Sequence, residues 1–204
     1  KVNALLHCYL TGQAGAKAIL NILTGKVNPS GKLAETYLLK YEDTPSVKYF
    51  HALENTAEYR EGIFVGYRYF EKVNKPVLYP FGYGLSYTTF DWKIVKTEPE
   101  INSSINENTK FKIDVEVTNT GDKAGKDIVE AYVTLPYTKG GIEKSYVSLV
   151  GFNKTELLAP NTSQTISIEI DAYDFLSYDC YDKNNNGFTG YELESGDYQI
   201  KLMT

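Results

Sequence analysis

Apolar and polar positions change their period partway along the chain. Phe111, Ile113, Val115 and Val117 alternate with Lys112, Asp114 and Glu116. A period of two marks a strand with one face buried and the other in water. The alternation returns in Val129, Ala131, Val133 and Leu135, in Ile166, Ile168 and Ile170, and in Tyr198, Ile200 and Leu202. Turn sequences separate these runs: Asn119-Thr120-Gly121-Asp122, Leu158-Ala159-Pro160-Asn161 and Glu194-Ser195-Gly196-Asp197.

The fold class expected is mainly β. About seven short strands in about 115 residues predict an antiparallel β-sandwich of the fibronectin III or immunoglobulin-like kind. It is expected to occupy residues 86–204, with a strand beginning near Ser86. No Cys–Trp–Cys spacing points to a true immunoglobulin domain.

The first part of the chain follows other periods. Residues 4–10 (ALLHCYL) are nearly all apolar, as in a strand covered on both faces. Thr11-Gly12-Gln13 then turns the chain into a helix, with Gly15, Ile19, Ile22 and Leu23 at helical spacing. Thr24-Gly25 ends it, Asn28-Pro29-Ser30-Gly31 makes a turn, and residues 33–39 (LAETYLL) predict a second strand. This partial α/β segment, βαβ-sized and expected within residues 1–47, cannot cover both faces of its own sheet, so it either belongs to a larger α/β domain or docks on another unit. Residues 48–85 form an irregular, aromatic-rich linker, with residues 58–64 extended and residues 65–72 a short helical turn. Residues 61–90 hold Tyr67, Tyr69, Tyr79, Tyr83 and Tyr87 with Phe64, Phe70, Phe81 and Phe90. So dense an aromatic run predicts a seam between two packed units.

Composition narrows the function. A net charge of −5 argues against nucleic acid, which calls for a clustered basic surface. No apolar run approaches the roughly 20 residues that span a bilayer, so no membrane partner is expected. No signal peptide is visible at the start, which favours a cytoplasmic location without fixing it. Two distant cysteines, Cys8 and Cys180, exclude a disulfide framework, and Cys8 reads as a buried small hydrophobe. With only His7 and His51, triads and multi-histidine metal sites are nearly excluded, and both histidines are expected to be structural or exposed.

Two long motifs carry a resemblance. Residues 12–34 (GQAGAKAILNILTGKVNPSGKLA) resemble the end of the α/β sandwich domain of glycoside hydrolase family 3, the β-glucosidases, β-xylosidases and relatives. Residues 59–90, with EGIFVGYRYF and YPFGYGLSYTTF, resemble that family's passage into its fibronectin III-like domain. Residues 117–133 and 149–170 look like the body of that domain. The departures are Ala14, where many members carry glutamate, and residues 177–191 (SYDCYDKNNNGFTGY). That extension resembles members whose α/β and fibronectin-like domains precede the barrel.

The resemblance implies the chemistry. Retaining glycosidases place two carboxylates about 5 Å apart, one as nucleophile and one as acid/base. In family 3 the nucleophile is an aspartate on a separate (β/α)8 barrel, and the acid/base is usually a glutamate upstream of the GQ-G helix. Both lie outside these residues. The chain is therefore expected to hold no catalytic residue and no cofactor, and to hydrolyse nothing unaided. Its implied partners are the missing barrel, the rest of the α/β sandwich domain and, through the full enzyme, a β-glycoside. An oligomer contact is a further expectation. The alternative is a stand-alone β-sandwich module that binds carbohydrate or protein.

Some residues invite sharper readings. Glu58 and Glu61 are close in sequence, but no family motif matches them as a catalytic pair. Glu61 is expected to pair with Arg60 or Arg68 at the seam. Tyr67, Arg68 and Tyr69 are cleft or seam candidates, since tyrosines can stack on sugars as well as pack a joint. Asp182, Asn184 and Asn186, with Gly187, begin like a calcium loop. Its twelfth position is Leu193, flanked by Glu192 and Glu194, and Asn-Gly is also a hairpin signal. Asn102, Asn153 and Asn161 fit the N-glycosylation acceptor pattern.

Overall fold

The computed structural model describes residues 2–50 and 56–203. Six of its eight strands form two three-stranded antiparallel sheets. The first sheet orders β1 (Phe90–Glu98), β2 (Lys110–Asn119) and β5 (Ser163–Asp171). The second orders β4 (Ser148–Lys154), β3 (Ile128–Thr134) and β8 (Gln199–Met203). A short hairpin, β6 (Ser177–Asp179) with β7 (Gly190–Glu192), stands beside them.

The alternation expected from the sequence sets the core. Phe111 pairs with Ile170, Ile113 with Ile168 and Val115 with Ile166, so apolar side chains of β2 and β5 share one face. That face packs against Val129, Ala131 and Val133 of β3, with Leu158 and Phe175 closing the layer. Val115, Val117, Val129 and Val133 have no accessible surface. Each such burial is worth about 1.5–3 kcal/mol.

β3 departs from a half-buried pattern. Its outward residues Glu130 and Tyr132 are also buried, at 6% and 4% exposure, because another part of the chain lies over them. β8 has the opposite situation. It is an edge strand, and beside it a cleft of about 920 Å³ opens between the sheets, lined by Ile94, Phe111, Ile113, Phe175, Ile200 and Leu202.

The N-terminal segment keeps its helix and not its strands. Helix α1 (Gly15–Leu23) forms at the predicted place and ends at Thr24 and Gly25. Residues 4–10 form no strand, and Val2, Leu5 and Leu10 are exposed. Residues 33–39 contribute a single bridge, Tyr37 to Tyr79, with Leu33 exchanging backbone bonds with Gly82 and Tyr83 at 2.8 and 2.9 Å. A strand needs a continuous neighbour for its N–H and C=O groups; residues 4–10 have none among the described residues, and residues 33–39 meet residues 78–83 only through scattered bonds. The linker forms helix α2 (Tyr67–Val73), close to the predicted helical turn. No helix among the described residues is long and apolar enough to cross a membrane.

Candidate functional site

The seam begins at Asn28. Its Nδ2 donates to the Ala124 carbonyl at 3.0 Å. Its Oδ1 accepts from the Ser86 hydroxyl at 3.0 Å and the Tyr87 N–H at 2.8 Å. One amide thus joins the N-terminal segment, the entry to β1 and the β2–β3 connection. Nearby, Lys32 donates to the Gly84 carbonyl at 3.2 Å and lies 3.6 Å from the buried Asp127 carboxylate. Asp127 also accepts the Trp92 indole N–H at 2.8 Å. Lys154 reaches the Ser30 carbonyl at 3.4 Å; burial, then Lys126 and Lys32, hold its ammonium below the usual lysine range. A Cβ on Gly84 would sit 2.3 Å from the Gly31 carbonyl oxygen, so the two backbones approach only because residue 84 is glycine.

Helix α2 makes the second half of the seam. Tyr67 accepts the Leu149 N–H at 2.9 Å, and its ring lies 4.8 Å from Phe81 and 6.0 Å from Tyr132. This is the cover over the outer face of β3. Beneath it, Tyr132 donates to Glu130 at 2.6 Å. Burial, reinforced by that carboxylate, pushes the Tyr132 phenol far above its ordinary value. Arg68 extends over the Tyr67 ring at 6.0 Å. Lys75 ties the end of the helix to Asp43 at 2.9 Å.

Glu61 and Tyr69 fall elsewhere. They line a cavity of about 470 Å³ with Tyr49, Arg60, Phe64 and Lys72. Aromatic walls with a few charged groups suit a small polar ligand with an apolar face. The expected pairing of Glu61 is not found among the described residues. Arg60 instead pairs with Glu58 and stacks on Tyr49 at 4.4 Å, while Arg68 turns to Tyr67. A guanidinium two residues from a carboxylate on an extended segment meets it on the same side of the chain, which favours Glu58. The cavity therefore brings Glu61 and Tyr69 together, while Tyr67 packs on Phe81 and Tyr132 and Arg68 lies over the Tyr67 ring.

Most of the remaining aromatics pack on one another. Tyr79 stacks on Tyr83 at 5.0 Å and meets Tyr37 edge-on at 6.5 Å. Tyr87 donates its hydroxyl to the Ile22 carbonyl at 3.0 Å. His7 is exposed and shares a 2.9 Å hydrogen bond with Tyr37; His51 lies outside the described residues. Cys8 is half-buried in an irregular segment, not in a strand core, because that strand does not form. Cys180 is exposed.

The Asp182 loop joins β6 to β7. Asp182 accepts N–H groups of Asn186 at 2.9 Å and Gly187 at 3.2 Å, while Asn184 and Asn186 turn their amides to Glu192. Among the described residues no three His, Cys, Asp or Glu side chains gather to hold a metal ion.

Three ties were not singled out from the sequence. Asn28 read only as turn chemistry, yet its turn is what aims the amide across the seam. Asn119, fully buried, donates to the Lys123 and Leu158 carbonyls and accepts from Thr88 and Gly121. Lys144, its side chain 3% exposed, lies 2.5 Å from Glu194 and donates to the Pro136 carbonyl at 2.6 Å. A polar residue in a turn or loop gives no sign of its distant partner, so only the folded chain identifies these three.

This chain is similar to known beta-glucosidases. The glycosyl hydrolase family 3 C-terminal domain matches residues 1–87, and the fibronectin type III-like domain matches residues 127–204. Beta-glucosidase A of Butyrivibrio fibrisolvens is 40% identical over 215 residues, covering 100% of this chain and 25% of that protein. Thermostable beta-glucosidase B of Acetivibrio thermocellus is 36% identical, covering 99% of this chain and 25% of that protein. A beta-glucosidase structure from Paenibacillus barengoltzii superposes with a TM-score of 0.83 at 38% identity, over 93% of this chain and 20% of that one. The chain thus spans about a quarter of the length of the curated relatives it matches. It belongs to glycoside hydrolase family 3, carrying sequence of that family's C-terminal domain followed by its fibronectin type III-like domain.

Proposed function

We propose that this chain is the non-catalytic, structural portion of a retaining β-glycosidase. On this reading the full enzyme hydrolyses O-glycosidic bonds of β-glucosides with carboxylates held by its other domains. Residues 1–47 complete an α/β sandwich domain, residues 48–85 link it, and residues 86–204 form the fibronectin III-like support. The observation that carries the reading is the uncovered apolar surface of the first segment. Val2, Leu5, Leu10, Leu20, Leu23, Val27 and Leu39 are all exposed on a segment that Asn28 and Lys32 tie firmly to the sandwich. Scattered exposed leucines are ordinary, but so many on one short segment mark a face that another unit covers. Charge stabilisation and positioning of the sugar then come from the covering domains.

The test is reconstitution. The purified chain is assayed on an aryl β-glucoside alone and after mixing with a second polypeptide supplying the barrel and the rest of the α/β domain. No turnover alone and turnover in the mixture is the expected result. Hydrolysis by the chain alone, or no activity from a mixture that forms a complex, overturns the proposal. Sugar binding by the isolated chain, measured by calorimetry, would point instead to a free-standing module using the Tyr69 cavity.

A further inference from the structure

We propose that the free edge of β8 is a strand-addition site, filled by an extended segment from the rest of the enzyme. The inference rests on the reading of this chain as part of a larger glycosidase. The two long sides of the sandwich differ. At one side β4 and β5 close on each other, and a Cβ on Gly151 would lie 2.9 Å from the Ile168 side chain. At the other side the sheets part around the cleft of about 920 Å³ between β1 and β8.

Strand register shows that this cleft opens into the core. Ile94 pairs with Val115, while Ile200 and Leu202 pair with Val133 and Ala131. Directly opposed residues share a face, so all three point inward, and their partners have no accessible surface. Yet Ile94 is 51% exposed, and Ile200 and Leu202 are only half-buried. Inward apolar side chains that still meet water mark an uncovered side of the sandwich.

The backbone gives an independent sign. β8 pairs with β3 alone, so among the described residues no strand meets the N–H and C=O groups along its other edge. Charge within an edge strand can blunt it, but the one charge of β8, Lys201, lies over the Tyr146 ring at 5.3 Å. Lys201 opposes Tyr132, which places it on the outer face, away from the cleft. An unpaired edge beside an apolar trough is what an extended segment needs. Its main chain completes the ladder, and its alternate side chains fill the trough.

The cleft describes the strand that fits it. Its walls are apolar at Ile94, Phe111, Ile200 and Leu202, so alternate residues of the added strand are large and apolar. Where β1 ends and β8 begins the lining is acidic, with Glu98, Glu100, Glu194 and Asp197 and no lysine or arginine. Lys96 and Lys144 hold Glu98 and Glu194, whereas Glu100 and Asp197 have no ion-pair partner among the described residues. A lysine or arginine at that end of the strand complements them. A second copy of this chain fits poorly. Its own β8 turns Ile200 and Leu202 into its own core, and its β1 does the same with Phe90 and Trp92, so neither edge has an apolar face to give. The rest of the enzyme has sequence to spare, since curated relatives are about four times as long as this chain.

The test mixes the whole chain with the polypeptide that supplies all remaining sequence of the enzyme and follows hydrogen exchange. In the chain alone, β8 amides on the free edge should exchange about tenfold or more faster than those bonded to β3. In the complex the two sets should be protected alike. Glu100→Lys with Asp197→Lys changes two exposed side chains, so the isolated variant should melt close to the parent chain. The same pair should weaken association about tenfold and lower the protection of β8 at equal concentration. An active complex whose β8 edge still exchanges freely overturns this inference and leaves the proposed function standing, as does a double variant that associates as tightly as the parent. A mixture with neither complex nor activity overturns both. Sedimentation of the chain alone should show a monomer; a dimer with a protected β8 edge would assign the site to a second copy and overturn the proposal.

Discussion

Single residues in this molecule act by bridging units that would otherwise drift apart, and Tyr67 is the clearest case. Its hydroxyl satisfies the Leu149 N–H, and its ring covers Tyr132. Tyr67→Phe leaves that N–H without its partner and should cost about 1–2 kcal/mol in urea unfolding. Tyr67→Ala also opens a cavity over β3 and should cost about 3–5 kcal/mol. An equal loss for both variants would mean that the ring contributes nothing. Tyr198 gives a pH signature at the same scale. It donates to the Glu194 carbonyl at 2.6 Å, and burial, then the nearby Glu194 charge, push its phenol up to about 12. In the unfolded chain the same phenol titrates near 10. Its raised folded value means that its contribution is whole below pH about 10 and is lost as pH climbs to about 12, because the unfolded state gives up the proton first. Denaturation followed between those pH values should show stability falling, and Tyr198→Phe should flatten that part of the fall. A slope unchanged in the variant would remove Tyr198 from the account.

At the scale of elements, legibility depended on whether a segment's neighbours lie within the chain. The strands Lys110–Asn119 and Ser163–Asp171 were plain from alternation because each has a partner strand and one apolar face to bury. Residues 4–10 and 33–39 were as apolar as any strand, yet they have no ladder to join among the described residues, so composition alone misled. The outer face of β3 was read as open because alternation reports which side chains share a face, not what lies above them. In the aromatic run, the ring of Tyr67 meets both Phe81 and Tyr132 of β3. The Glu61 pairing failed because Glu58 competes for the same arginine at shorter reach. These contrasts predict how the first segment is held. Asn28→Ala removes the hydrogen bonds to Ala124, Ser86 and Tyr87 together. Hydrogen exchange should then speed up in residues 15–40 while the amides of β2 and β5 stay as protected as before. Loss of protection in β2 or β5 would show instead that the sandwich depends on the segment.

The whole molecule combines a sandwich with its own core and a leading segment that leaves many large apolar side chains exposed. Helix α1 states the contrast most simply: none of its residues is buried, and Leu20 and Leu23 are 59% and 67% exposed. Ile19 and Ile22 of this helix are half-buried, whereas Leu20 and Leu23 lie in water, and apolar side chains left in water add little to the stability of this chain. Leu20→Glu with Leu23→Glu should therefore change urea unfolding of the isolated chain by no more than about 0.5 kcal/mol. The same pair should weaken association with the polypeptide that supplies the remaining domains by tenfold or more, since it would bury two carboxylates in an apolar contact. Sedimentation or calorimetric titration of the two pieces would measure that loss, and the recovered aryl-glucosidase activity should fall with it. If the isolated chain unfolded much more easily with both leucines replaced, α1 would be packing on its own sandwich. If both stability and association held, the interface would lie on another face, with the cleft beside β8 the next surface to probe.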